Sequence, residues 1–264
     1  MSTTRRPAVA GMFYPGGSAA LRAMVDEFMA EAAMPAGAAP KAVIAPHAGL
    51  IYSGPIAANA YAQLAPARDE IQRIVLLGPS HRVPFRGLAL SSAERFSTPL
   101  GEIQLDREAM ALLEDLPQVQ VLDRAHAQEH SLEVQLPFLQ RVLGEFRLIP
   151  LVVGEASADE VAEVIERLWG GPETRFVISS DLSHYHDYAT ARRMDQATSQ
   201  AIAALRPEAI GYEDACGRIP VSGLLRAAQH HGLHGRVLDL RNSGDTAGPR
   251  DQVVGYGAYA FDET

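Results

Sequence analysis

Short, wholly apolar runs recur along the chain and alternate with stretches whose apolar residues repeat with a helical period. Ala42–Ala45, Ile74–Leu77 and Arg175–Ile178 have the character of strands buried on both faces, and Leu88–Leu90 is a weaker case. Leu148–Val153 reads as a further strand, placed near a sheet edge because Pro150 removes a ladder donor. Ser18 is expected to cap a helix with Leu21, Val25, Phe28 and Met29 on one face, and Pro55 to open a helix reaching about Leu64. Asp106 caps a helix carrying Met110, Leu113 and Leu116, and a helix from Ser131 to Leu143 should kink at Pro137. Ser157-Ala-Asp-Glu160 is a capping box for a helix ending near Trp169. Helices over Thr190–Leu205 and Pro220–Gly232 come next, then strands over Arg236–Leu240 and Val253–Phe261. The loop Ala33–Pro40 joins the first helix to the first strand and marks no domain boundary. This alternation predicts an α/β fold, a single domain over residues 1–264 built as a three-layer α/β/α sandwich around a mixed, largely parallel sheet.

Composition narrows the function. The 264 residues suit one hydrophobic core, and 47% hydrophobic content excludes a disordered chain. The formal charge of −9 argues against nucleic acid or an anionic membrane as the main partner. A single cysteine excludes an internal disulfide and points to a reducing, cytoplasmic setting. The N-terminus lacks the apolar core of a signal peptide, and no run approaches the about 18 apolar residues of a spanning helix.

The candidate chemistry sits in the loops at the strand ends. Ala42–Ala45 runs into Pro46-His47, Ile74–Leu77 into Gly78-Pro-Ser-His81, and Arg175–Ile178 into Ser179-Ser-Asp181-Leu-Ser-His184. Ligands of open α/β sheets bind outside the carboxyl ends of the strands, so these loops meet in one crevice if their strands are parallel neighbours. Three histidines in the same topological position point to a metal or acid/base site, although one alone would read as a capping or packing residue. His126 and His130 are spaced for one helix face but precede the expected helix start, which leaves a structural role equally open. His186 comes two residues after His184 and is expected to point away from it, and His230, His231 and His234 sit at a helix C-terminus, where a solvent-facing role suffices. Cys216 precedes a helix start; its residue type fits a small buried hydrophobe, a ligand or a nucleophile. No nucleophile elbow or phosphate loop is present, and Gly255–Ala260 fits a dinucleotide pattern with too few residues after it for the required helix.

Six segments carry a resemblance: Arg6–Pro15, Pro46–Gly54, Gly78–His81, Glu129–Phe138, Ser179–His184 and Cys216–Arg218. In order and along nearly the whole chain they resemble the Memo (mediator of cell motility) family, whose bacterial members are also called AmmeMemoRadiSam system protein B. The family fold is similar to that of class III extradiol dioxygenases, non-haem iron enzymes that open catechol rings. The resemblance implies that His47, His81 and Cys216 are metal ligands, for Fe(II) first and copper second. It places Asp181 and His184 beside them as a catalytic acid/base pair, with His184 removing a proton and Asp181 orienting it, and Glu129 and His130 along the pocket. Animal members are described as cytoplasmic signalling proteins that bind phosphorylated receptor tails and handle copper or iron, a role not carried over to this chain. Ile219 stands where the animal members carry a histidine. The ring-opening enzymes use two His and one carboxylate, so a thiolate at the third position departs from them: it is softer, suits Cu(I) as well as Fe(II), and is oxidisable. Two functions fit the resemblance: an Fe(II)-dependent oxidoreductase acting on a small, aromatic substrate, or a non-catalytic Cu(I)/Fe(II) carrier or peptide- or phosphate-binding adaptor. A hydrolase using metal-bound water has the least support.

Overall fold

The computed structural model describes residues 3–35 and 37–263. Its strands are β1 (Thr4–Arg5), β2 (Ala42–Ala45), β3 (Arg73–Pro79), β4 (Leu88–Leu90), β5 (Arg95–Thr98), β6 (Gly101–Leu105), β7 (Val119–Val121), β8 (Arg147–Val153), β9 (Thr174–Ser179), β10 (His184–His186), β11 (His234–Asn242) and β12 (Val253–Asp262). The helices are α1 (Ser18–Glu31), α2 (Leu50–Ala62), α3 (Arg107–Ala111), α4 (Asp123–Ala127), α5 (Leu136–Leu143), α6 (Ala158–Arg167), α7 (Tyr188–Ala203) and α8 (Arg218–His230). The strands form one mixed sheet in the order β1-β5-β6-β8-β3-β9-β2-β12-β10, with β11 on β12, and β4 joining β8 to β7. β6, β8, β3, β9 and β2 run parallel; β12 returns antiparallel on β2.

Every residue of β2 and β9 is buried, as expected of strands covered on both faces. α2 lies over β2, β11 and β12 with α1 and α5 packed against it, while α7 covers β11 and β12 from the other side. α8 lies over β3 and β9 with α6 against it. Here Gly223 is required, because a Cβ on it would stand 2.3 Å from Val161 Cγ1. The α/β/α layering is therefore as the sequence pattern predicts. Among the described residues no helix is long and apolar enough to cross a membrane.

Several local expectations are corrected. α1 is capped by Gly17 without a side-chain bond, and Ser18 is its first helical residue. α2 starts at Leu50, so Pro55 lies inside it: burial of Leu50 and Ile56 carries the helix across the missing N–H. Pro137 kinks nothing, because a 3₁₀ turn over Glu133–Gln135 precedes it and α5 begins at Leu136, where the absent N–H is an orphan anyway. Pro150 lies in the interior of the sheet, paired with Leu76 in β3. Leu148 C=O accepts from Asp106 N–H on the other flank, and Pro150, two residues on, faces that same flank. There β6 pairs only with Arg147 and Leu148 and β4 only with Val152 and Val153, so the proline falls in the gap between two partner strands. The Asp106 cap and the Ser157–Glu160 capping box are present as expected. The β5–β6 hairpin is an addition to the elements read from the sequence.

His126 belongs to this scaffold. Its Nε2 lies 2.9 Å from Ala89 O, its ring meets Phe96 edge-on, and burial lowers its pKa to about 4 against a usual 6.5. The unfolded chain takes up this proton first, so the stabilising contribution is complete above pH 6.5 and is lost as pH falls toward 4. Chemical denaturation across that window should show the His126→Gln protein losing less stability on acidification than wild type, by up to about 3 kcal/mol. Parallel pH profiles for the two proteins would discount the assignment.

Candidate metal centre

β9 lies between β3 and β2 in the parallel part of the sheet, so the three histidine loops emerge side by side at one edge. Pro46-His47 comes directly after β2, and the His47 N–H is held by Asp181 Oδ1 at 2.7 Å. The loop before α8 completes the site. Cys216 N–H donates to Asp181 O at 3.2 Å, and Asp181 N–H donates to Cys216 Sγ at 3.3 Å. Gly217 permits this approach, since a Cβ there would lie 2.6 Å from Ser180 Cβ and 2.7 Å from Ser179 O. Cys216 Sγ thereby comes to 3.4 Å from His47 Nε2. One ligand atom each from His47, His81 and Cys216 lies within 4.8 Å of the others.

Hydrogen bonding fixes the imidazole tautomers. Ser179 Oγ donates its one proton to Ser131 O and accepts from Gln135 Nε2, so at its 2.7 Å contact with His47 Nδ1 it can only accept. His47 Nδ1 therefore carries the hydrogen, and Nε2 is left as a bare lone pair toward Cys216. His81 Nδ1 lies 2.9 Å from Glu129 Oε1 and His184 Nδ1 lies 2.8 Å from Leu182 O, both pure acceptors when Glu129 is ionised. All three rings thus carry a hydrogen on Nδ1, and a neutral ring held this way presents its Nε2 lone pair, the form a metal ligand or a general base requires.

The electrostatics agree. Burial, then the His81, His130 and His184 rings, holds the His47 pKa well below its usual value, so His47 is neutral. Burial also lowers His130 to about 4, with His81 adding to the effect. For Glu129, burial alone would raise the pKa, but hydrogen bonds from His81 and the Ser131 N–H outweigh it and bring the carboxyl to about 2. Burial, reinforced by Asp181, raises the Cys216 thiol. Metal entry must therefore displace the thiol proton. Asp181 itself is raised by burial, against the pull of His184 and the His47 N–H.

His47, His81, His130, Asp181, His184 and Cys216 line a cleft of about 750 Å³, whereas Glu129, expected along the pocket, is buried behind the His81 ring. Phe13 rests on His130 with ring centroids 4.7 Å apart, and His130 stacks on His81 at 4.6 Å. The predicted set His47, His81, Cys216, Glu129, His130, Asp181 and His184 is assembled here. The surroundings of His184 differ from expectation: Leu182 O, not Asp181, holds its ring, and His184 belongs to a short strand whose Tyr185 has φ +61°. His186 lines the same cleft rather than turning from it. The supporting Ser179 and Gln135 were missed, because a serine and a glutamine carry no chemical motif until their neighbours are known. His230 and His231 pair with Glu166 on the surface far from these loops in sequence, in keeping with a solvent-facing role.

The sequence pattern of the family described as Memo-like protein matches residues 5–260. A MEMO1 family protein of Aquifex aeolicus is 37% identical over 265 residues, covering 96% of this chain and 97% of the relative. One of Aeropyrum pernix is 36% identical over 276 residues, covering 96% and 98%. The chain belongs to the Memo family. A solved structure of an uncharacterised protein from Escherichia coli K12 is similar with a TM-score of 0.52 at 12% identity, covering 81% of this chain and 98% of that one, which bears on the fold alone. The side chains of this Memo family member fit a transition metal: two imidazoles, each held through Nδ1, and a soft sulfur converge.

Glu129→Gln tests that support. A glutamine retains the shape but removes the charge that holds His81 Nδ1–H, so metal affinity should fall 10–100-fold while the circular dichroism spectrum is unchanged. Unaltered affinity by anaerobic titration would show that Glu129 serves the loop alone.

Proposed function

We propose that this Memo family protein binds a redox-active transition metal, Fe(II) first and copper second, through His47, His81 and Cys216, and acts as an oxidoreductase on a small-molecule substrate. The observation that carries the reading is the convergence of one donor atom each from two imidazoles and a thiol within 4.8 Å of one another, in the cleft they line. When bound, such a metal supplies electron exchange and Lewis acidity toward a substrate oxygen. The chain's own residues do the rest. His184 lines the same cleft with its ring held through Nδ1 by Leu182 O, and its Nε2 takes the proton of a substrate hydroxyl. Asp181 is a positioning residue that ties the His47 loop to the Cys216 loop. Phe13, Tyr185 and Tyr212 give the cleft aromatic walls for a flat, aromatic substrate. The soft Cys216 donor favours a second reading, a Cu(I) carrier without turnover.

Anaerobic metal analysis and catechol titration separate the two. An oxidoreductase should hold about one Fe per chain, develop a charge-transfer band with catechol, and lose metal in Cys216→Ala. His184→Gln should keep its metal within a few-fold yet lose oxygen-dependent turnover. Cu(I) retained without a catechol band, and released to a competing chelator, would favour the carrier. Equal metal affinity in wild type and Cys216→Ala would remove the cysteine from the site.

A further inference from the structure

The metal-centre cleft does not end at the histidines. A second cavity of about 600 Å³ adjoins it, and Tyr212, Cys216, Arg218 and Ile219 line both. The second arm runs past Val83, Pro84 and Phe85 toward Val153, with Arg86 and Glu155 also in its lining. Its wall is preformed: Ser80 Oγ donates to Val83 O at 2.7 Å, and Glu155 N–H donates to Phe85 O at 2.8 Å. Phe85 and Ile219 are half-buried apolar side chains that remain part of the arm's lining. At the elbow stands Arg218, partly buried, its guanidinium 5.1 Å from the centre of the Tyr212 ring. Among the described residues Arg218 makes no side-chain hydrogen bond or ion pair with an acid, whereas Arg73, Arg141 and Arg236 each hold one.

We propose that the substrate is an elongated carboxylate with an apolar tail. Its carboxylate pairs with Arg218 at the elbow, its tail lies along Phe85 and Ile219, and its oxygen-bearing end reaches the histidine arm. An arginine without an acid partner, beside an aromatic face in a half-enclosed cleft, is suited to bidentate capture of a planar carboxylate. Glu155 and Glu213 line the arms together with Arg86 and Arg218, so a doubly charged phosphate meets more repulsion there than a singly charged carboxylate. A bare catechol would fill a small part of the two arms, which together reach the size of a site for a drug-sized ligand. The inference rests on the histidine arm being the reacting end, but the elbow and the apolar arm can be tested without metal or turnover.

Calorimetric titration with octanoate, butyrate, octylamine and octyl phosphate, on protein as purified and after chelation, provides the test. Each buried methylene is worth up to about fourfold in affinity, so octanoate should bind wild type at least tenfold more tightly than butyrate. It should also bind more tightly than octylamine, and not more weakly than octyl phosphate. Arg218→Gln should lower octanoate affinity at least tenfold with its metal content unchanged. Ile219→Ser should shrink the gain from chain length while leaving butyrate alone. No binding of octanoate at millimolar concentration, equal affinity in wild type and Arg218→Gln, no chain-length effect, or octyl phosphate binding tenfold more tightly would each overturn the proposal. Metal analysis keeps the two readings apart: discrimination that persists in protein unable to take up Fe(II) or copper supports the elbow and counts against the metal reading.

Discussion

Every ligand-bearing loop is tied to the last residues of one strand. Ser179 and Ser180 at the end of β9, with Asp181 beyond them, bond in turn to the His47 loop, the Cys216 loop and the Ser131 segment. Ser180 N–H continues the ladder to Ala45 O, which fixes how far the β2 loop stands from its neighbour. From Ser131 the chain of bonds passes to Pro79 O, and Glu129 then grips both the backbone N–H and the ring of His81. Metal donors must be set to within a few tenths of an ångström, and a central buried strand is the stiffest part of this fold from which to do that.

Burying so many polar groups is tolerable only because they are partnered. Glu129 accepts from His81 N–H, His81 Nδ1–H, His130 N–H and Ser131 N–H, so its charge is spread over four donors. Glu133 receives Arg5, Tyr14 Oη and the N–H groups of Ala8 and Val9, which straps the N-terminal segment down and sets Phe13 against His130. A lost partner in either network would leave a buried carboxylate exposed to its full desolvation cost. The same networks choose the imidazole tautomers, so stability and reactivity here share one set of hydrogen bonds.

The thiolate position distinguishes the centre from a two-histidine, one-carboxylate set. A carboxylate is hard and not readily oxidised; sulfur donates more electron density and is exposed to oxidation if oxygen reaches it. The Cys216 thiol sits against Asp181 and His47, so its proton and a metal would compete for the same sulfur. Any metal taken up there would be coupled to how the His47, Asp181 and Cys216 loops pack.

The buried strands, the layering and the position of His47, His81, Asp181 and His184 after strand ends could be read from residues alone, because wholly apolar runs and loop chemistry are local signals. Cys216 could not: it lies 35 residues beyond Asp181, and only its family resemblance marked it before the fold brought Sγ to His47. The prolines were misread because their effect depends on which neighbours are missing. Pro150 is harmless between two short partner strands, and Pro55 is carried by the burial on either side of it. Ser179, Gln135 and the Arg218 elbow have meaning only through contacts between distant segments. The chain by itself determined which side chains were available and at which ends of which strands. The tertiary structure alone decided how the His47 and His81 rings are held, since each Nδ1–H meets an acceptor from another loop, Ser179 Oγ and Glu129 Oε1.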